Sequence, residues 1–481
     1  MGDWRSGMTP LQMLTRRQMF RSGTFTLAPL ALASLRQQEV MGATQPTSPL
    51  PPQVPHFRAR AKSVIYLFMI GGPSQLDLFD PKPELLRRDG EVLPDSLLKQ
   101  AKFAQIQEKQ PKIMGSPWSF ARHGESGATV SELLPHTASI VDQLSFVKTV
   151  KTDDTNHMFA ELLINTGWRQ FGRPSLGSWV VYGLGGEAAN LPAFLVLRSG
   201  MRPRSKRANY GNGFLPSKFQ GTPLRSAGAP ILNLSSPPGF TRRRQRDSIA
   251  AINALNRYKL ESSGDDEVAA RIASYEMAFR MQTAAPELLN LTGETAATLR
   301  AYGIQDTSRP SFARNCLLAR RMVERGVRFV HLFHGDWDHH TNIAGGLPSQ
   351  CKQTDQASAA LVRDLALRGL LDDTLVVWGG ELGRTAVAQK SNKENVAVGR
   401  DHHIDAYTMW FAGGGTRAGY SIGSTDDLGY FPVEDSWHVY DLQATVLHLL
   451  GLDHERLTYR FQGRDFRLTD VHGNVRYELF T

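Results

Sequence analysis

The segment Gly335-Asp336-Trp337-Asp338-His339-His340 packs two carboxylates and two imidazoles into the five residues Asp336 to His340, directly after the apolar run Val327 to Phe333. Carboxylate and imidazole together are ligands for a divalent ion such as zinc. A second grouping, Asp401-His402-His403, precedes the apolar run Tyr407 to Ala412, and Glu381 follows the run Thr374 to Trp378. Any one of these histidines, taken alone, reads better as a solvated loop residue. Three groupings at three strand ends point instead to one metal site, because ligands of open α/β sheets bind at the strand ends. The candidate ligands are Asp336, His340, Glu381 and His402 or His403.

The elements that must position these groups follow from periodicity. Continuous apolar runs at Ser63 to Ile70, Leu144 to Val150, Leu191 to Leu197, Val327 to Phe333, Thr374 to Trp378 and Tyr407 to Ala412 predict buried strands. Helical spacing predicts helices over Met158 to Ile164, Arg246 to Leu260, Asp266 to Gln282, Phe312 to Arg325, Gln356 to Arg368 and Val439 to Leu450; several stop at a glycine. Alternation of strand and helix through the last third predicts a parallel sheet covered on both faces, with Val64–Ile70, Val327–Phe333 and Thr374–Trp378 central. Lys82 to Gln110 and Gly200 to Gly239 are rich in turn residues and read as decorating loops.

The chain has 481 residues, 41% of them hydrophobic and 21% charged, enough for a large core and against global disorder. Thr15-Arg16-Arg17-Gln18-Met19-Phe20, then the short apolar stretch Thr24 to Leu35 and the small residues Ala31-Leu32-Ala33, read as a twin-arginine export leader over residues 1–33. Residues 34–59 read as a linker, 60–481 as one domain, and the protein is expected in the periplasm or outside the cell. No other run reaches membrane-spanning length. Net charge is +9, and Arg202 to Arg207 and Arg242 to Arg246 could attract phosphate, sulfate or a polyanion, or simply be solvated. No aromatic interleaving supports nucleic acid as a partner. Two cysteines, Cys316 and Cys351, do not make a disulfide scaffold, and Cys316 lies in a helical pattern as a core residue. There is no Gly-x-Ser-x-Gly elbow, Walker loop, dinucleotide fingerprint or His-Glu-x-x-His.

Longer motifs occur in order: Tyr66-Leu67-Phe68-Met69-Ile70-Gly71-Gly72-Pro73-Ser74, Leu78-Phe79-Asp80-Pro81-Lys82-Pro83, Phe333 to His340, Trp378-Gly379-Gly380-Glu381-Leu382-Gly383-Arg384-Thr385, Gly399 to His403 and Tyr459 to Arg464. With the leader, they resemble a bacterial family catalogued as domain of unknown function 1501, over nearly the whole chain beyond the leader. That family is thought to belong to the alkaline phosphatase and sulfatase superfamily. The resemblance implies a three-layer α/β/α sandwich with a mainly parallel central sheet and one or two divalent metals, zinc or calcium. It implies a metal held by an Asp, a His four residues on and a distant His, a spacing that Asp336 and His340 share, with His402 or His403 as the distant ligand. At the second-metal position Glu381 stands where relatives carry an Asp-His pair, and Asp77 is the nearest carboxylate to the end of the first strand. The relatives' nucleophile position falls on His157, with Thr155 two residues earlier; Asn156-His157-Met158-Phe159 lacks the formylglycine pattern of sulfatases. Arg384 or Arg173 would hold the anion. The implied function is a metal-dependent hydrolase of phosphate or sulfate esters. The alternative is a non-catalytic relative that binds a sulfated or phosphorylated polymer.

Overall fold

In the computed structural model the described residues are 50–225, 241–263, 266–390 and 397–480. The expected leader and the first part of the expected linker lie outside them. The main sheet has nine strands. At its centre β1 (Ser63–Met69) pairs in parallel with the strands that the sequence marks as its neighbours. The main elements after β1 run as β2 (Leu144–Lys151), α1 (His157–Thr166), α2 (Leu176–Leu184), β3 (Phe194–Ser199), α3 (Arg242–Ser263), α4 (Asp266–Leu289), α5 (Phe312–Val323), β4 (Phe329–His334), α6 (Ile343–Leu367), β5 (Thr374–Gly379), β6 (Gly383–Gln389), β7 (Gly399–His403), β8 (Tyr407–Ala412), β9 (Tyr420–Ile422) and α7 (Val439–Leu449). Across the sheet the order is β9-β2-β8-β5-β1-β4-β3, with two-residue strands at Thr222–Pro223 and Trp437–His438 completing it.

β1 is buried along its whole length because it has helices on both faces. Ile65, Leu67 and Met69 pack with Cys316, Leu317 and Leu361 of α5 and α6. Val64, Tyr66, Phe68 and Ile70 pack with Leu163, Trp179 and Leu447 of α1, α2 and α7. This alternation makes the three layers, since successive strand side chains point to opposite faces. Both cysteines are buried and free. One expectation needs correcting: β8 is antiparallel to both β2 and β5. It follows the β6–β7 hairpin and enters the sheet from the carboxyl edge, with no crossover helix to reverse it.

β1, β2, β3, β4 and β5 therefore all end at one edge, and β8 begins there. Residues 50–59, part of the expected linker, are docked on the domain: Gln53 N donates to Leu184 O at 2.8 Å and His56 N to Gly451 O at 2.9 Å. No helix among the described residues is long and apolar enough to cross a membrane.

Candidate metal centre

Four side chains meet beyond the carboxyl edge: His157, Asp338, His340 and His402. Each offers one ligand atom, and these atoms lie within 4.8 Å of one another. His157 opens α1, whose start is fixed by Asn156 accepting from Met158 N and whose end is Gly167 at φ 66°. Asp338 and His340 sit in the loop after β4. His402 comes from β7, where the register of the β6–β7 hairpin shifts between Arg400 and His402. Such a bulge re-aims side chains.

Asp338, not Asp336, supplies the carboxylate. The spacing of four that favours Asp336 presupposes a helical turn, and the chain from Gly335 to His339 is not helical. The backbone instead makes a tight turn, His339 N donating to Trp337 O at 3.0 Å, and Asp338 Oδ1 comes to 2.9 Å from His340 Nε2. Asp336 takes φ 77° and is exposed, its Oδ2 facing Met201 N at 3.3 Å. Trp337 is fully buried, and its N donates to Ile70 O at 3.2 Å, which holds the loop against the end of β1. Gly71, at φ 112°, permits that approach: a Cβ there would sit 2.6 Å from Asp338 N.

Each imidazole has its tautomer fixed from behind. His157 Nδ1 donates to Glu381 Oε1 at 2.6 Å, His340 Nδ1 to Gln389 Oε1 at 2.6 Å, and His402 Nδ1 to the Thr155 carbonyl at 2.5 Å. All three Nε2 atoms then face Asp338. His340 Nε2 and His402 Nε2 lie 2.9 and 3.3 Å from Oδ1, and His157 Nε2 lies 3.2 Å from Oδ2. Arg384 Nη2 donates to the same Oδ1 at 2.7 Å. Burial alone would raise the Asp338 carboxyl, but the three imidazoles and Arg384 hold it well below the usual carboxylate range. Burial lowers His157, and the Asp338 and Glu381 carboxylates overcome this and raise it to about 9. His402 is pushed down to about 3, first by burial and then by Arg384 and the neighbouring imidazoles.

The other expected site residues fall around this group. Glu381 is fully buried and accepts from His157 and from Gly71 N at 2.8 Å, so it stands one layer behind the cluster. His403 points away, donating Nε2 to Tyr430 O at 2.7 Å, as expected for adjacent strand residues. Thr155 meets the site through its carbonyl. Arg384 is enclosed by the Gly71, Gly72 and Arg400 carbonyls and by Asp338. Arg173 lies over the Trp168 and Phe466 rings and faces Asp470, outside the group. Asp77 is fully buried and closed by Arg400 and Ser74. The sequence displays Asp338 beside Asp336 with nothing to favour it, and nothing in the sequence marks Gln389. Two more residues reach the cluster: Gln105, whose Nε2 lies 3.2 Å from His340 Nε2, and Arg204, whose Nη2 lies 3.2 Å from Asp338 Oδ2. Arg204 belongs to the basic run Arg202 to Arg207; nothing in the sequence marks Gln105.

The donor set fits a divalent ion. Three imidazole nitrogens and a carboxylate are a zinc-type set, and donation from the far ring nitrogen to an oxygen is the usual support for a ligating histidine. His157 Nε2 is buried and lacks an aligned hydrogen-bond partner. His340 Nε2 and His402 Nε2 are 2.8 Å apart, each with its proton held on Nδ1. Two lone pairs so placed repel unless a cation or proton lies between them.

No curated protein sequence matches the chain. Among solved structures, the alkaline phosphatase from the Antarctic bacterium TAB5 shares 12% identity over 82% of this chain and 99% of that one, with a TM-score of 0.34. The lipoteichoic acid synthase LtaP from Listeria monocytogenes shares 10% over 82% and 74%, TM-score 0.32. The PsFucS1 sulfatase from Pseudoalteromonas sp. shares 11% over 89% and 72%, TM-score 0.33. The model of a protein family of unknown function, DUF1501, matches residues 61–480, and this chain belongs to that family.

Proposed function

We propose that the protein is a divalent-metal-dependent hydrolase of phosphate or sulfate esters, with the ion held by His157, Asp338, His340 and His402. The observation that carries this reading is the convergence of three tautomer-fixed Nε2 atoms on one buried carboxylate at a sheet's carboxyl edge. A bound ion supplies Lewis-acid polarisation of an ester oxygen and stabilises charge on the leaving group. Glu381, Gln389 and the Thr155 carbonyl orient the three imidazoles. Arg384 orients Asp338 and has no free edge for an anion. Trp337, fully buried, anchors the loop that carries Asp338 and His340. The test is metal analysis of the purified protein together with turnover of generic phosphate and sulfate esters. If His340→Ala leaves both unchanged, the cluster is structural.

A second reading rests on another observation. Among the described residues, no serine, threonine or cysteine side chain hydrogen-bonds to the four cluster residues, while Arg202, Arg204, Lys206 and Arg207 are exposed. A relative without turnover that binds an anionic polymer fits these facts; retained polymer binding with no ester turnover in the metal-loaded protein would select it. The twin-arginine leader supports action outside the cytoplasm, and replacing Arg16 and Arg17 by lysine is expected to retain the precursor in the cell.

A further inference from the structure

The cluster is closed from below and open at one side. His157 and His402 side chains are 6% and 4% exposed, but Asp338 and His340 are 15% and 16%. Two residues stand over that open side, Gln105 and Arg204, and each comes from a loop pinned by a buried carboxylate. Glu161 of α1, fully buried, accepts from Arg204 N at 3.0 Å, Ser205 N at 2.9 Å, Ser205 Oγ at 2.5 Å and Asn209 Nδ2 at 3.1 Å. Asp401, also fully buried, accepts with one oxygen from three successive amides, Ala104 N and Gln105 N at 2.9 Å and Ile106 N at 3.1 Å. Burying a carboxylate is costly unless its hydrogen bonds are made. Two such groups under two otherwise irregular loops fix what those loops carry.

We propose that Arg204 and Gln105 form an oxyanion-binding subsite that receives the tetrahedral head group of the substrate, with Glu161 and Asp401 as its positioning residues. This rests on the metal-dependent hydrolase reading above. The Arg204 side chain is 49% exposed, and only its Nη2 is engaged, on Asp338. Nη2 carries a second N–H, which with Nη1 or with Nε makes the two-donor edge for the fork-like contact of guanidinium with phosphate or sulfate oxygens. Gln105 is exposed; its Nε2 directs one N–H at His340 Nε2, 3.2 Å away, and carries a second, while its Oε1 accepts from Gln389 Nε2 at 3.2 Å. The Gln105 carbonyl is thus engaged elsewhere, and its amide offers an anion a donor rather than an acceptor. Arg384 does not serve in this role, because three backbone carbonyls and Asp338 already take its donors.

The experiment uses the zinc-loaded full chain, with inorganic phosphate and sulfate as separate probes in calorimetry, beside zinc stoichiometry and ester turnover. Arg204→Ala is expected to weaken the preferred anion about 10- to 100-fold, as loss of a charge-assisted contact does, and to raise KM while zinc stoichiometry holds. Arg204→Lys should restore part of the affinity. Gln105→Leu should weaken it less, and Glu161→Gln should reproduce the Arg204→Ala loss through the loop. Tighter phosphate or tighter sulfate binding names the head group. Wild-type protein that binds zinc but neither anion overturns the subsite, as does unchanged anion affinity in Arg204→Ala. Wild-type protein that binds no zinc overturns the underlying hydrolase reading instead.

Discussion

Thr155 stands just ahead of α1, and its carbonyl oxygen accepts from His402 Nδ1. A nucleophilic threonine would instead need its hydroxyl. Thr155→Val keeps the carbonyl and removes the hydroxyl, so metal affinity and ester turnover are expected to stay within about twofold of wild type, as for a substitution that loses no native contact. A turnover loss of about 100-fold or more, with metal still bound, would restore Thr155 as the nucleophile. The same residues show what sequence can resolve at this scale. The cluster Asp336 to His340 and the doublet His402-His403 are legible because acid and imidazole side by side are scarce. Which member points inward is not legible, because that depends on a tight turn between Trp337 and His339 and on one bulge in β7. Gln105 and Gln389 are neutral, common residues, and only their neighbours in space give them a role.

At the level of elements, continuous apolar runs identify the strands, and β1, β4 and β5 lie central and parallel as their burial on both faces demands. The direction of β8 is not in its composition. It is set by the hairpin before it, and a buried antiparallel strand is as apolar as a parallel one. The turn after β1 is the element most tightly bound to the site. At Gly71 any side chain meets Asp338 N and the Trp337 carbonyl carbon at 2.6 and 2.9 Å, in a φ region that other residues avoid. Gly71→Ala is expected to destabilise the fold by about 1–3 kcal/mol or more. It should also weaken zinc binding, because relief requires the Trp337–Asp338 loop to move. Thermal unfolding and a zinc titration of the variant check both; unchanged zinc affinity would show that the turn and the ligand loop are independent.

For the molecule as a whole, the same burial that builds three layers sets a limit in acid. His331 lies inside β4, stacked on Tyr66 and Phe333, and burial pushes its imidazole down to about 3. Burial pushes His334 down to about 4. In the unfolded chain both titrate near 6.5. Between that pH and the folded values the unfolded state binds more protons, so stability falls as pH falls, by at most about 1.4 kcal/mol per pH unit for each group. Urea midpoints should therefore drop from pH 6.5 to pH 5, and His331→Phe should remove part of that slope; an identical slope in the variant would reject the assignment. Asp401 carries a consequence of another kind. One of its oxygens holds the Ala104–Ile106 strap, the other accepts from the amide of His402 at 2.8 Å, and so a single carboxylate ties a surface segment to a member of the cluster. Filling the site and ordering the strap are then one equilibrium observed from two ends. Chelation should expose peptide bonds near Lys102 and Lys109 to trypsin, zinc should protect them, and the cleavage rate would follow site occupancy without any substrate being known.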